Sequence, residues 1–424
     1  MSLAILLIAI LALFLLRVPM AFAIFGPCIL YLLAEDHSLG LAVRLAVAGI
    51  DSWPLLAVPL FILVGTVATR TEMADRLYDA AVLLLGPLRA GLAYVNIGVS
   101  LGFSWMSGAA LADAAGIGSV EVEHMRRKGY PPEFAVGLSA SSALISPIMP
   151  PSIPAVVYAS VAAVSTGALF AAAVIPALLM TIALVITVYV WALRKTGFEG
   201  EPFDRTAIRR ALWRALPPMG APVIILGGIL TGLFTPTEAA AIGALYMLLL
   251  AVSYRTVDAR GLTLIFRDTA LITAQITLII GASALLSWIL AREQVPQAVA
   301  EALLVATDNP LVFLLIMNVI LLLLGMLLEP TSALLIVTPI LLPVAVEFGI
   351  DPLQFGSIMI FNLMIGLLTP PMGGVAFVLS SVTGIPVERV FKGAAYFLPA
   401  LLITLALITY VPAITLWLPQ ALGL

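Results

Sequence analysis

Charge is what this chain has least of. Asp, Glu, Lys and Arg make up only 10% of its 424 residues, against 62% hydrophobic residues, a balance that no soluble domain of this length sustains. The chain is therefore expected to be a polytopic membrane protein. The few charges sum to −3 and form no long run of one sign, so nothing points to nucleic acid or to an acidic tail. The single cysteine, Cys28, excludes an intrachain disulfide and reads as a packing residue in an apolar segment. The two histidines, His37 and His124, are far apart and lack an HExxH context, so they do not make a zinc pattern. Met1 leads straight into apolar sequence with neither a basic n-region nor a small-residue cleavage site. That stretch reads as a first membrane helix, not a signal peptide.

Proline is present where a membrane helix should not carry it. One apolar stretch, Tyr130 to Tyr158, contains Ser146-Pro147-Ile148-Met149-Pro150-Pro151-Ser152-Ile153-Pro154; a second, Asp351 to Ser380, contains Gly366-Leu367-Leu368-Thr369-Pro370-Pro371-Met372-Gly373. Proline removes a backbone donor and clashes with the preceding turn, so each helix must unwind there. Within hydrocarbon an unwound backbone survives only where it is packed in protein or lines a cavity. Matched interruptions in two halves of a chain point to a transporter's binding site.

Spacing supports two halves. Pro19, Ala23 and Gly26 recur as Pro236, Ala240 and Gly243 at an offset of 217. Arg70, Asp79 and Asn96 recur as Arg292, Glu301 and Asn318 at 222, and Phe134 and Phe170 as Phe355 and Phe391 at 221. At about 20 residues per crossing, the reading is as follows. Residues 1–193 form a first repeat, with a re-entrant hairpin at 88–124 and a broken helix at 130–163. Residues 194–214 form a cytoplasmic linker, and residues 215–424 form a second repeat, with a hairpin at 310–347 and a broken helix at 352–383. Arg17-Val18-Pro19 divides the first apolar stretch, Asp51 to Thr69 is a further span, and Arg70 to Leu85 is an amphipathic interfacial helix. The positive-inside rule places Arg126-Arg127-Lys128 and Arg194-Lys195 in the cytoplasm, with Arg44 and Arg292 against the rule. Five crossings and one hairpin per half then make the two repeats inverted relative to each other, with both termini periplasmic.

Between the tips and the breaks the polar inventory is hydroxyl and amide oxygen, with no Lys or Arg. Oxygens of this kind, with carbonyls freed at the prolines, suit sodium. The expected ligands are Ser104, Ser107, Gly108, Ser141, Ser142 and Pro147 in the first half, with Thr331, Ser332, Asn362, Gly366 and Thr369 in the second. Helix N-termini starting at the breaks suit a carboxylate, expected near Ser146, Pro150, Ser152, Pro370, Met372 and Gly373. Asp113 and Glu329 are the acids nearest the tips. Each reads either as an ion ligand or gate, or as the cap of a hairpin's second arm. Glu238, after Thr235-Pro236, reads as a cap. An intramembrane hydrolase is the rival class, but no catalytic pair of aspartates, HExxH or serine–histidine set is visible, and Asp113 has no evident acidic partner in the sequence.

Four motifs carry a family resemblance. Tyr130-Pro-Pro-Glu-Phe134, the run from Ile145 to Pro154, Gly227 to Ala241 and Gly366 to Gly373 resemble the large membrane subunit of TRAP (tripartite ATP-independent periplasmic) transporters over essentially the whole chain. The resemblance implies an all-α elevator-type fold, sodium-driven import of an organic acid across the bacterial inner membrane, and no enzymatic activity. It also implies two partners on separate chains: a small four-helix membrane subunit and a periplasmic substrate-binding protein. The neighbouring alternative is a stand-alone anion carrier of similar inverted-repeat fold. The family's first tip corresponds to Ser107-Gly108-Ala109-Ala110, where Ala109 replaces a frequent serine, and the second to Glu329-Pro330-Thr331-Ser332, where Glu329 replaces a frequent aspartate.

Overall fold

The computed structural model describes residues 3–16, 18–195, 198 and 205–424, and every regular element among them is a helix. An apolar solvent leaves little choice, because each backbone N–H and C=O must find its partner inside its own segment. Eight of these helices are long and apolar enough to cross a bilayer, among them Thr166–Leu193, Ala259–Arg292 and Val387–Tyr410. The protein is a multi-pass membrane protein.

The chain opens with Leu3–Leu15 and Met20–Ala34, parted beside Pro19 as expected; Arg17 of that motif lies outside the described residues. Cys28 is buried with Ile24, Tyr31 and Leu32 against Leu285, Leu286 and Ile289 of the long helix Ala259–Arg292. Two expectations need correction. The stretch before Asp51, left without an element by the sequence reading, forms the helix Leu39–Ile50, capped by the Ser38 hydroxyl, and it packs on Ala259–Arg292. At 12 residues it is about 18 Å long, too short to register as a span. The linker is also shorter than expected. Residues 196, 197 and 199–204 lie outside the described residues, but Arg205 already begins the helix Arg205–Leu230. The charges of Arg209, Arg210 and Arg214 disguise amphipathic first turns whose other face buries Ile208, Ala211 and Ala215.

The amphipathic stretch expected at the interface forms the helix Met73–Leu85, and Val295–Ala306 takes the corresponding place after Arg292. The first hairpin consists of Gly91–Ser107, a tip at Gly108 and Ala109, and a second arm in two pieces, Ala110–Ala115 and Ile117–Arg127. Its counterpart runs Pro310–Leu327, then Pro330–Glu347 without a break. The first broken helix is Pro132–Ser142, a tight turn Ala143–Ile145, irregular backbone to residue 152, then Ile153–Ala162. The second is Pro352–Gly366 and Gly374–Thr383. Glu238 caps the helix Pro236–Ser253 as expected: its carboxylate accepts from the Thr235 N–H at 2.8 Å, and its own N–H donates to the Thr235 hydroxyl at 3.3 Å.

These pieces pack crosswise. Ile153–Ala162 lies against Pro330–Glu347 of the second hairpin, and Gly374–Thr383 against both pieces of the first hairpin's second arm. The Tyr158 hydroxyl donates to the Pro352 carbonyl at 2.7 Å, and its ring fills the space left by Gly356, where a Cβ would stand 2.4 Å from Cε1. The two broken helices thus share one core that also includes Phe170, Phe355 and Phe397.

Candidate functional site

At the first tip the hairpin meets the first break. Gly108 turns with φ +64°, and a Cβ there would lie 2.9 Å from the Pro151 carbonyl oxygen, so only glycine lets the tip seat against the unwound backbone. On the tip's other side a Cβ on Gly65, in Ala57–Arg70, would lie 3.1 Å from the Ser107 carbonyl oxygen. Ser152 organises the break: its hydroxyl accepts from the Ala155 N–H at 3.2 Å, capping the outgoing helix, and donates to the freed Pro147 carbonyl. Ser141, Ser142, Ser146 and Ser152 are all fully buried.

Asp113 sits beside the hydroxyls of Ser107 and Ser146. Neither of its carboxyl oxygens, nor the Ser146 hydroxyl, has a hydrogen-bond partner among the described residues. Asp113 is therefore no helix cap; the residue in the cap position is Ala109. Glu121 faces the same crevice, which is lined by Ser100, Phe103, Asp113, Gly118, Glu121 and Ser139 and has no room for a water molecule. The expectation that Asp113 lacks an acidic partner is thus corrected. Glu121 lies on the crevice face of the second piece, Ile117–Arg127, whose outward faces carry Glu123, Arg126 and Arg127, and the sequence hid it among those surface charges.

The second pair repeats the plan with different chemistry. A Cβ on Gly366 would lie 2.2 Å from the Gly325 carbonyl carbon, so hairpin arm and broken helix touch backbone to backbone, and the Met372 N–H donates to the Met326 carbonyl at 3.3 Å. Glu329 caps Pro330–Glu347, its carboxylate accepting from the Ser332 N–H and the Thr331 hydroxyl, both at 2.9 Å. Thr369 donates to the Gly366 carbonyl at 3.0 Å. Asn362 donates from its amide to Asn318 Oδ1 at 2.7 Å, while its own Oδ1 is buried without a partner among the described residues.

The structure therefore gathers Ser107, Gly108, Ser146, Pro147, Pro150 and Ser152 with Asp113 at one pair, and Asn362, Gly366, Thr369 and Gly373 at the other. The hydroxyls of Ser104 and Ser141 donate to carbonyls of their own helix, at Leu101 and Gly137, which leaves their oxygen lone pairs free. Burial differs between the breaks: residues 146–152 are interior, while Pro370, Pro371 and Met372 are exposed. Both breaks carry a cis prolyl bond, at Pro150–Pro151 and Pro370–Pro371. A hollow of about 790 Å³ beside the helix Met73–Leu85 lies elsewhere and mixes Glu72, Asp75 and Asp79 with Arg76, Arg210 and Arg214.

Sequence reasoning missed the amides beneath the tips. Asn96 Oδ1 accepts from the Ser142 hydroxyl at 2.8 Å, just as Asn318 Oδ1 accepts from Asn362. The amide of Asn96 also donates to Ser139 and to Glu121, and that of Asn318 donates to Thr409 at 3.1 Å. The signal was present, since Asn96 and Asn318 recur at the repeat offset and are asparagines in apolar helices.

A family model described as "Tripartite ATP-independent periplasmic transporter, DctM component" matches residues 7–414. The sialic acid TRAP transporter large permease protein SiaM of Vibrio cholerae is 42% identical over 95% of this chain and 95% of its own. The C4-dicarboxylate TRAP transporter large permease protein DctM of Pseudomonas aeruginosa is 37% identical over 94% and 93%. The sialic acid TRAP transporter permease protein SiaT of Haemophilus influenzae is 36% identical over 96% of this chain and 66% of its own. Among solved structures, the Alcanivorax borkumensis YdaH transporter shares the fold at a TM-score of 0.59 over 86% of each chain, with 14% sequence identity.

Proposed function

The chain belongs to the DctM component family of tripartite ATP-independent periplasmic transporters, and from that premise we propose that it is the permease of a sodium-coupled importer of a small organic acid. It is a membrane transport protein and not an enzyme. The observation that carries the sodium reading is the cluster of buried oxygens at each tip and break: the Asp113 carboxyl beside the Ser107 and Ser146 hydroxyls at the first, and the unpartnered Asn362 Oδ1 at the second. A buried polar atom without a partner is costly, and a bare cation repays acceptors that have no donor. One ion is assigned to Ser107, Gly108, Ser146 and Pro147 with the Asp113 charge. The other is assigned to Asn362, Gly366 and Thr369 with the tip hydroxyls Thr331 and Ser332.

The acid is assigned to the space toward Ser152 and Gly373, where the N-termini of Ile153–Ala162 and Gly374–Thr383 lie. Helix dipoles and co-bound cations then supply the positive charge that no Lys or Arg provides there. The relatives named for sialic acid and C4-dicarboxylate make those two classes the first to try. The crosswise packing supports two inverted repeats. The close approach of Gly65 to Ser107 supports an elevator movement in which hairpins and broken helices slide against the remaining helices. The protein would sit in the bacterial inner membrane with both termini periplasmic, joined by a small four-helix membrane subunit and fed by a periplasmic binding protein.

The test is uptake of labelled sialic acid and C4-dicarboxylates into proteoliposomes holding this chain and its small subunit, with and without an inward sodium gradient and with the binding protein added or omitted. Uptake that requires both sodium and the binding protein is expected. Uptake without the binding protein would replace this reading by the stand-alone carrier. Ser107→Ala and Thr331→Ala should each raise the half-saturating sodium concentration by about tenfold, equivalent to ~1.4 kcal/mol. Unchanged values in both would remove the site assignment.

A further inference from the structure

A groove on the outside of the first hairpin has no role in the transport reading. It lies between the hairpin arm Gly91–Ser107 and the helix Thr166–Leu193, has a volume of about 650 Å³, and is walled by Leu85, Ile97, Gly98, Val185 and Ile186. Its floor is low because Gly98 has no side chain; a Cβ there would come within 2.7 Å of Leu85 Cδ1. Val185 and Ile186 on its rim are 36% and 55% exposed, so the groove opens toward lipid and not into the protein.

One end of the groove is charged. Arg89 stands there, exposed, with one guanidinium nitrogen donating to the Lys195 carbonyl, and the neighbouring Ala90 N–H donates to the Phe198 carbonyl at 3.0 Å. These bonds hold Lys195 and Phe198 beside Arg89, so Arg194 and Lys195, both exposed, add to the same patch. No acidic side chain lines the groove, and no carboxylate pairs with Arg89 among the described residues. Tyr94 and Tyr189 flank the groove, and such amphipathic rings belong at headgroup level.

We propose that this groove is a binding site for an anionic phospholipid, with an acyl chain between the two helices and the phosphate on Arg89. The apolar walls and the lone cationic end match the two parts of that molecule, and basic pockets between helices at a membrane face take anionic headgroups. A transmembrane helix is the wrong size. At a width of 10–12 Å, about one turn would fill 650 Å³, whereas an acyl chain is slender. The bound lipid would pin the hairpin arm to Thr166–Leu193, and the site does not depend on the sodium assignment.

The experiment is native mass spectrometry of the detergent-purified chain titrated with dioleoylphosphatidylglycerol, with dioleoylphosphatidylcholine and with inorganic phosphate. Wild type should bind one phosphatidylglycerol more tightly than phosphatidylcholine, with no competition from phosphate. Arg89→Ala should weaken phosphatidylglycerol about fivefold and abolish the preference, and Arg89→Lys should restore most of it. Val185→Trp, on the half-exposed rim, should block both lipids, with Val185→Phe as the milder filling if the first variant is not monodisperse. Equal binding of both lipids by wild type, wild-type affinity in Arg89→Ala and the filled variant, or displacement by phosphate would each overturn the proposal.

Discussion

At the scale of single residues, the site rests on side chains that do not touch the tips. Asn96 is buried in an apolar arm and satisfies three partners at once: the Ser142 hydroxyl, Ser139 and the Glu121 carboxylate. Each link joins the hairpin to its broken helix or to its own second arm, so one amide sets the spacing beneath the tip. Asn96→Ala should cost about 3 kcal/mol, because an unsatisfied buried group costs ~1–3 kcal/mol and a charged one more. Denaturation of the purified variant in detergent measures that loss, and a change below ~0.5 kcal/mol would show that the network carries little. Glu121 and Asp113 mark where the halves part company. Positions 222 later, the offset that relates Asn96 to Asn318, hold Pro343 and Leu335, so the first pair has acids in its crevice where the second has apolar side chains. The sequence displayed Asp113 but not its neighbour, because a helical face becomes a shared crevice only once a second element covers it.

At the scale of elements, the half-helices are held by backbone approach as much as by side chains. Gly325 and Gly366 let Pro310–Leu327 and Pro352–Gly366 touch, which is how helices gain packing in a solvent as apolar as themselves. Gly366→Ala would put a carbon 2.2 Å from a backbone atom of the partner and should destabilise the protein by about 1–3 kcal/mol, with lost uptake. Gly26→Ala, where nothing lies within 4 Å, should be neutral or stabilising by up to about 1 kcal/mol through helix propensity alone. Parallel melting curves of the two variants decide this, and equal effects would mean that the close approach relaxes freely. The broken helices themselves were readable in advance, since proline chemistry is local. The division of the first hairpin's second arm at Gly116, with φ −82° and ψ −94°, was not, because no proline marks it.

At the scale of the whole molecule, the crosswise packing makes the two halves one core, so the proposed ion binding would be tied to global stability. A ligand that binds only the folded protein stabilises it by mass action, about 2.7 kcal/mol at a hundred times its dissociation constant. Sodium, but not an equal concentration of potassium, should therefore raise the unfolding temperature of the purified chain, and Ser146→Ala should shrink the increment. An identical melting temperature in the two salts would count against both assigned ion sites.

The sequence by itself determined what depends on local chemistry: membrane residence from the scarcity of charge, two interrupted spans from proline, the cap at Glu238, and the recurrence of Asn96 and Asn318. The tertiary structure alone decided which side chains meet across elements. It put Asp113 and Glu121 in one dry crevice, gave Ser142 and Asn362 their amide partners, seated Gly108 on Pro151, and separated a buried first break from an exposed second. The reason is physical. Helix breaks and caps are set by a residue and its nearest turns, whereas a shared crevice or a glycine contact depends on how distant helices rotate and dock, which period and composition do not encode.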